Sequence, residues 1–357
     1  LLCTAEALRE SGHEVIVSGD MKSRSVDVAE KRGFRVFRLR ELRMKKSPLR
    51  LPAHILQWRR ITRDIAPDFI ITYSSAVHWL YILSRQYRSR TRIIRARCDA
   101  KEPKETIFNH LVFKKFTHGY IFSSSDLYKF SVSRFRLNKK NCLLLPGYVD
   151  MKAFTPVHTG ETVRQELHIG SEPVIGIVGR LDPVKDHRSF LRIADIVIHQ
   201  FPEAKFIVCG REENVKIEQL RQLSRQLDIE NNIFFMGHRE DIPQVINACD
   251  VGMITSSGSE KTCRVGLEFA SCGKPLVTTD TGCLPDIIKH QATGLIYRAG
   301  NIKEAAQHVL KLLSDPGLRS EYGEAARHRV DKRYSAKTFS RILDKFLERL
   351  KHENGNP

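Results

Sequence analysis

Gly258–Asp286 reads GSEKTCRVGLEFASCGKPLVTTDTGCLPD, and its pattern decides how the chain is built. Val265, Phe269 and Cys272 recur at spacings of four and three, which predicts a short helix. Gly273 is placed to end that helix, and Pro275–Val277 opens an apolar run that predicts a buried strand. Two carboxylates, Glu260 and Glu268, stand in the same stretch. If both were helical they would lie roughly 80° apart around the axis and about 12 Å along it, too far for an acid/base dyad. With Glu260 in the loop before the helix and Glu268 inside it, one carboxylate can reach each end of an extended ligand. Free N–H groups at the helix N-terminus, near Thr262, Cys263 and Arg264, then face a phosphate between them. Taken alone, two glutamates are more simply read as solvated residues on a loop and a helix face.

Outward from this stretch the chain alternates short β-rich runs with helical patterns. Glu14–Ser18, Phe34–Phe37, Asp68–Tyr73, Arg92–Ala96, Gly119–Ser123 and Cys142–Leu145 form one series of expected strands. Val174–Val178, Lys205–Cys209, Ile233–Met236, Val251–Thr255, Pro275–Thr279 and Gly294–Tyr297 form a second. Most are apolar without strict alternation, as strands covered on both faces are, so each series predicts a doubly wound parallel sheet. The expected layout is an α/β chain of two Rossmann-like domains facing across a cleft. Residues 1–155 form the first domain and 156–335 the second, with Pro146–Pro156 at the junction. A C-terminal helix over 336–357 packs back toward the first domain. The opening residues fall in the middle of a helical pattern (Ala5, Leu8, then Ser11-Gly12-His13), so an N-terminal piece is expected to precede Leu1.

At 357 residues, with 41% hydrophobic and 28% charged residues, the composition is that of a soluble globular protein. No apolar run approaches the ~20 residues needed to span a bilayer. The eight cysteines show no CxxC pair and no repeated metal-type spacing, so reduced thiols in a cytoplasmic protein are expected. A net charge of +18 calls for an anionic partner. Arg38–Arg63 holds nine Lys/Arg against Glu41, with Leu51, Ile55, Trp58 and Ile65 as a possible apolar stripe. This reads either as a basic amphipathic helix on anionic lipid or as a helix docked on its own sheet with a solvated basic face. No nucleic-acid motif is present, and aromatics are not interleaved with the basic residues.

A second motif follows the strand Val174–Val178: Gly179-Arg180-Leu181-Asp182-Pro183-Val184-Lys185-Asp186. Two cations on one strand-end loop can neutralise a diphosphate without a metal. The loop is neither GxxxxGK[ST] nor GxGxxG, which argues against a P-loop and against a nicotinamide oxidoreductase. Taken with Glu-(seven)-Glu, Ala270-Ser271-Cys272-Gly273-Lys274-Pro275 and Thr281-Gly282-Cys283-Leu284-Pro285-Asp286, it resembles family 4 of the retaining GT-B glycosyltransferases. Gly237-His238-Arg239-Glu240-Asp241-Ile242, Ala248-Cys249-Asp250-Val251 and Ala292-Thr293-Gly294-Leu295-Ile296 extend the resemblance through the second domain. In the first domain it is softer, resting on Leu8–Val15, the Val149-Asp150, Phe154 and Pro156 linker and strand order, and it implies that the family's first strand and glycine-rich loop precede Leu1.

The resemblance implies transfer of a sugar from a nucleoside-diphosphate donor with retained anomeric configuration, no metal and no cofactor. The implied acceptor is a glycan or glycolipid of the cell-surface polysaccharide or lipopolysaccharide type. Arg180 and Lys185 match residues that grip the diphosphate, with Thr262, Cys263 and Arg264 beside it. Glu260 matches the carboxylate on the sugar and Glu268 the one on the ribose, so Glu260, Arg180 and Lys185 are the expected catalytic residues. His238, Arg239 and the Glu212-Glu213 loop are candidates for the base. The chain departs from the family at Lys261-Thr262-Cys263, where Gly-Phe-Gly is common, and at Cys98, where many relatives have histidine. On the acceptor side Asp99, Arg97 or Arg95 can take the place of that imidazole. The expected location is the cytoplasm, at the inner face of the membrane. The rival readings are a sugar-nucleotide-binding relative without turnover and, more remotely, a basic nucleic-acid-binding protein.

Overall fold

The computed structural model describes residues 1–39, 51–84, 90–98, 103, 105–157, 159–258 and 262–352. Contacts divide the chain into two units, Leu1–Pro146 with Lys337–Pro357 and Gly147–Ala336. The first unit runs α1 (Leu2–Glu10), β1 (Ile16–Asp20), α2 (Arg24–Lys31), β2 (Arg35–Leu39), α3 (Leu51–Ile65), β3 (Phe69–Thr72) and α4 (Ser75–Ser84). It continues with β4 (Arg92–Arg97), α5 (Ile107–Lys115), β5 (Gly119–Phe122), α6 (Ser125–Phe135) and β6 (Cys142–Leu144). The second runs α7 (Glu161–Glu166), β7 (Val174–Val178), α8 (His187–Ile198), β8 (Lys205–Cys209), α9 (Ile217–Gln226) and β9 (Ile233–Gly237). After these come α10 (Ile242–Ala248), β10 (Val251–Ile254), α11 (Arg264–Ser271), β11 (Leu276–Thr279), α12 (Leu284–Ile287), β12 (Gly294–Tyr297), α13 (Ile302–Ser314) and α14 (Pro316–Tyr334). The last helix, α15 (Ala336–His352), lies almost wholly in the first unit.

In the second unit six parallel strands take the order β12-β11-β10-β7-β8-β9. The first strand of the unit and its fourth are therefore neighbours, and the chain reverses direction across the sheet between β7 and β10. Ligands of open α/β sheets bind at this reversal, outside the carboxyl ends of the strands. Every residue of β10 and β11 is buried, because helices cover both faces. One face packs Ile175, Ile177, Phe190, Phe206, Val208 and Val277 into a single core. Phe190 and Phe206 meet edge to face at 5.7 Å. On the other face Phe269 of α11 lies on Gly252, where a methyl group would sit 2.5 Å from the ring. Only glycine lets this helix approach so closely.

The first unit holds parallel β3-β4-β5-β6 and a separate parallel pair β1-β2. Helix α15 buries Phe339, Leu343, Phe346, Leu347 and Leu350, and a methyl on Gly119 of β5 would sit 2.5 Å from Leu350. Residues 147–155, read from sequence as the end of the first domain, pack in the second unit. There Val149 donates to Tyr334 O at 3.1 Å, Ser271 Oγ to Phe154 O at 2.6 Å, and Asn247 Nδ2 to Thr155 O at 3.0 Å.

Three readings meet the structure differently. The stripe on α3 turns inward: Trp58 is buried with Leu39, Tyr81 and Ile93, which favours the helix docked on its own sheet. Most of the basic stretch before it, residues 40–50, lies outside the described residues. The expectation of reduced thiols throughout is corrected, because Cys263 and Cys283 form a disulfide. Twenty residues apart in sequence, they meet across the turns that precede α11 and α12, a proximity that spacing alone does not reveal.

Candidate functional site

The loop after β7 is built by its own sequence. Gly179 N–H donates to Cys209 O at 2.9 Å and Leu181 N–H to Arg211 O at 2.8 Å, prolonging the β7–β8 pairing past the sheet. Gly210 must be glycine here, since a methyl group would collide with the carbonyl of Gly179. Asp182 then accepts from the Val184 N–H at 3.1 Å and from Asn214 Nδ2 at 2.7 Å, closing a 3-10 turn over Pro183–Lys185. The bond from Asn214, then that from Val184, holds the Asp182 carboxyl below the usual carboxylate range. The turn is bolted to the end of β10. Thr255 Oγ donates to Lys185 O at 2.8 Å and to Asp186 O at 3.1 Å, and Ser257 N–H donates to Val184 O at 3.0 Å.

A pocket opens where the sheet reverses. Its lining includes Gly179, Lys185 and His187 after β7, Thr255 and Ser256 after β10, and Gly266 in the first turn of α11. Among the described residues no side-chain oxygen caps α11, and its first turn has no acidic residue, so its leading N–H groups can serve another acceptor. The Lys185 side chain and the first turn of α11 border the same concavity, an arrangement of positive charge that suits an anion.

Lys185 is the sequence-selected residue that lines this pocket. Arg180 is about half exposed and pairs with Glu213 at 3.0 Å. Glu212 is turned away to serve α9, accepting from the Ile217 N–H at 2.8 Å and Lys216 Nζ at 3.0 Å. Thr262 is exposed, Cys263 is buried in the disulfide, and Arg264 reaches along its own helix to Glu268. Glu268 is 6% exposed and accepts from Arg264 Nε at 2.9 Å. Burial pushes its pKa up, with the Arg264 charge opposing.

Glu260, Lys261 and Asp99 lie outside the described residues. In the first unit Cys98 follows the end of β4 and is half-buried, while Arg97 is buried. Arg95 is buried too, donating to Thr72 O at 3.2 Å and Ser75 Oγ at 3.3 Å. Of the base candidates, His238 is exposed. Arg239 forms a structural tie: its guanidinium holds Asp241 at 2.7 and 2.8 Å and Glu166 of α7 at 2.6 and 2.8 Å.

Sequence reading missed Thr255, Ser256 and His187. The hydroxyls follow directly on an expected strand, a position that marks the ligand end of a parallel sheet. His187 is the first residue of α8, 2% exposed, and neither ring nitrogen has a hydrogen-bond partner among the described residues. Burial, and then the charge of Lys185, pushes its pKa down to about 4, so it is neutral at pH 7.

Residues 160–329 match the model of the family described as glycosyl transferases group 1. The D-inositol 3-phosphate glycosyltransferase of Corynebacterium jeikeium is 29% identical over 217 residues, 58% of this chain and 51% of the relative. The chain spans about half the length of the curated relatives it matches. Among solved structures, a glycosyltransferase from Rickettsia africae superposes with a TM-score of 0.86 at 17% identity, covering 99% of this chain and 94% of that one. Anabaena Alr3699/HepE in complex with UDP superposes at 0.82 and 19% identity, covering 97% and 95%. The fold is GT-B, with two Rossmann-like units and parallel sheets.

Proposed function

We propose that this chain transfers a sugar from a nucleoside-diphosphate donor to a glycan or glycolipid acceptor of the cell-surface polysaccharide or lipopolysaccharide type. The observation that carries the reading is the anion pocket at the reversal of the second sheet, within the segment that matches group 1 glycosyltransferases. The diphosphate lies against Lys185 and the first turn of α11, with Arg180 reaching it on release from Glu213. The ribose lies toward Glu268. Glu260 takes the sugar hydroxyls, and His238 lies nearest the base. Cys98, Arg97 and Asp99 stand on the acceptor side.

As the bond from the anomeric carbon to the phosphate oxygen breaks, the departing diphosphate gains charge. Lys185, Arg180 and the α11 dipole stabilise that charge, the largest catalytic lever in the site. The acceptor oxygen bonds to the anomeric carbon on the face the leaving group vacates, and its proton passes to the departing phosphate oxygen. Configuration is retained, and no protein nucleophile, metal or cofactor is required. UDP or GDP at 1 mM, with a chelator present, is expected to raise the melting temperature by several degrees through mass action. No shift with any nucleoside diphosphate would sink the reading.

The site works in the cytoplasm, against the inner membrane face. On α5, Ile107, Phe108 and Leu111 are exposed beside the exposed Lys114 and Lys115. On α3, Arg60 and Arg63 are exposed as well. Exposed apolar residues with Lys114 and Lys115 on the same helix suit an anionic bilayer. Vesicles with anionic lipid should bind the protein, neutral ones should not, and 0.5 M salt together with Phe108→Ser should release it. Equal binding to both vesicle types removes the membrane from the proposal.

A further inference from the structure

The stretch of sequence in which this chain departs from its resemblance, Lys261-Thr262-Cys263, ends on the residue that caps α11. Cys263 has φ 44° and ψ 37°, the left-handed region that a residue with a side chain seldom occupies. Such a conformation persists when the surroundings over-determine it. Here the determinant is covalent, because Cys263 is bonded to Cys283, with the two Cα atoms 6.1 Å apart. Cys283 is itself anchored. It caps α12, and two residues before it Thr281 Oγ donates to Ser256 O at 3.2 Å, on the wall of the pocket. Thr279 Oγ reaches the same carbonyl at 2.9 Å. The bond thus ties the start of α11 to the turn before α12, which Thr281 in turn ties to Ser256 after β10, and residues of both α11 and the segment after β10 line the pocket.

We propose that the Cys263–Cys283 disulfide is a positioning device for the diphosphate site. It holds the cap of α11 in the left-handed turn that aims the leading N–H groups into the pocket, so nucleotide affinity depends on the bond being formed. The inference rests on the donor reading above. Where glycine would reach this turn at no steric cost, the chain uses a cysteine and fixes it from outside. Because the sulfur is engaged by Cys283, it offers no cap to the helix and leaves those N–H groups to the ligand. Cys263 is 2% exposed and Cys283 is fully buried, so a thiolate reaches the bond only when the turn opens. The bond is a standing brace rather than a surface switch. When a dithiol does reach it, the sulfur–sulfur bond breaks, two thiols form with two electrons and two protons, and the dithiol closes to its own disulfide.

The test compares UDP dissociation constants and melting temperatures of the wild type with two double variants. Alkylation of the denatured, unreduced protein should leave two of its eight cysteines unmodified. Cys263→Ser with Cys283→Ser is expected to weaken UDP about tenfold and to lower the melting temperature. Cys263→Gly with Cys283→Ser should recover most of the affinity, since glycine adopts the turn unaided, while the melting temperature stays low for want of the cross-link. A purely structural bond would move both quantities together or the melting temperature alone. Wild-type affinity in the serine pair overturns the inference, as does alkylation of all eight cysteines in the wild type. A wild type that binds no nucleoside diphosphate defeats the donor reading and this inference with it, and is told apart because the parent itself fails.

Discussion

Lys185→Ala is expected to lower turnover of the nucleotide sugar by about 100-fold or more, the scale of removing one preorganised charge contact to a transition state. The loss falls mainly on kcat, because the diphosphate gains negative charge as the glycosidic bond breaks and the ammonium matters most at that moment. The loop itself should survive the substitution. Its shape rests on the bonds of Asp182, Asn214, Thr255 and Ser257 to one another and to backbone groups, all of which the substitution retains. Melting temperatures of wild type and variant should therefore agree within about 2 °C. Arg180→Ala is expected to cost less, roughly tenfold, since that guanidinium is half exposed and must first leave Glu213. Steady-state rates on a panel of nucleotide sugars check both. Equal rates for Lys185→Ala and wild type would remove Lys185 from the site.

The second unit was the more legible half in sequence for a physical reason. Its strands are mostly apolar, so runs such as Val174–Val178 and Lys205–Cys209 stand out without any need for alternation. The helical patterns over Arg188–Gln200 and Lys216–Leu227 have a sharp apolar stripe and lie within two residues of the ends of α8 and α9. Helix α14 was not found, because its sequence is charged on almost every side. What holds it is Tyr322, Ala326, Val330 and Tyr334, a narrow file at spacing four buried against the sheet unit. In the first unit the stripe of α3 was visible, but sequence could not decide whether membrane or sheet covers it. That depends on where the chain folds, and Trp58 shows the answer.

The site was legible as motifs and less so as contacts. The Gly-Arg loop and the place of Glu268 inside α11 follow from local pattern, strand end and helical phase, whereas the burial of Glu268 runs against its simpler reading as a solvated residue on a helix face. Which carboxylate takes Arg180, and that Arg239 serves Glu166 and Asp241, depends on residues far away in the chain or in a neighbouring turn. The disulfide is the sharpest case. Its cysteines are separated by a helix and a strand, and only the parallel pairing of β10 with β11 brings their two loops to one edge of the sheet.

Glu268→Gln should separate stability from function. The carboxyl is 6% exposed, and desolvation raises its pKa above the usual carboxylate range, with Arg264 only partly opposing. A raised pKa means that the folded state favours the protonated acid. Ionisation therefore begins to cost stability as pH climbs past the ordinary carboxylate value, and the cost is complete once pH exceeds the raised value. At neutral pH the wild type bears that cost and glutamine does not. Arg264 loses a partner, but its side chain is 75% exposed and the pair contributes little. The variant is thus expected to melt higher than wild type at pH 7, with the difference shrinking as pH falls below the ordinary carboxylate range. On the proposed donor reading function runs the other way, because an amide would offer the ribose hydroxyls one neutral acceptor in place of a charged pair. Loss of about 100-fold in kcat/KM is expected, the scale seen when a buried polar contact to substrate is unmatched. Calorimetry across pH and steady-state rates check the two halves separately. A variant that melts lower at pH 7 would show that the ion pair outweighs burial, and one with unchanged kcat/KM would move the ribose away from Glu268.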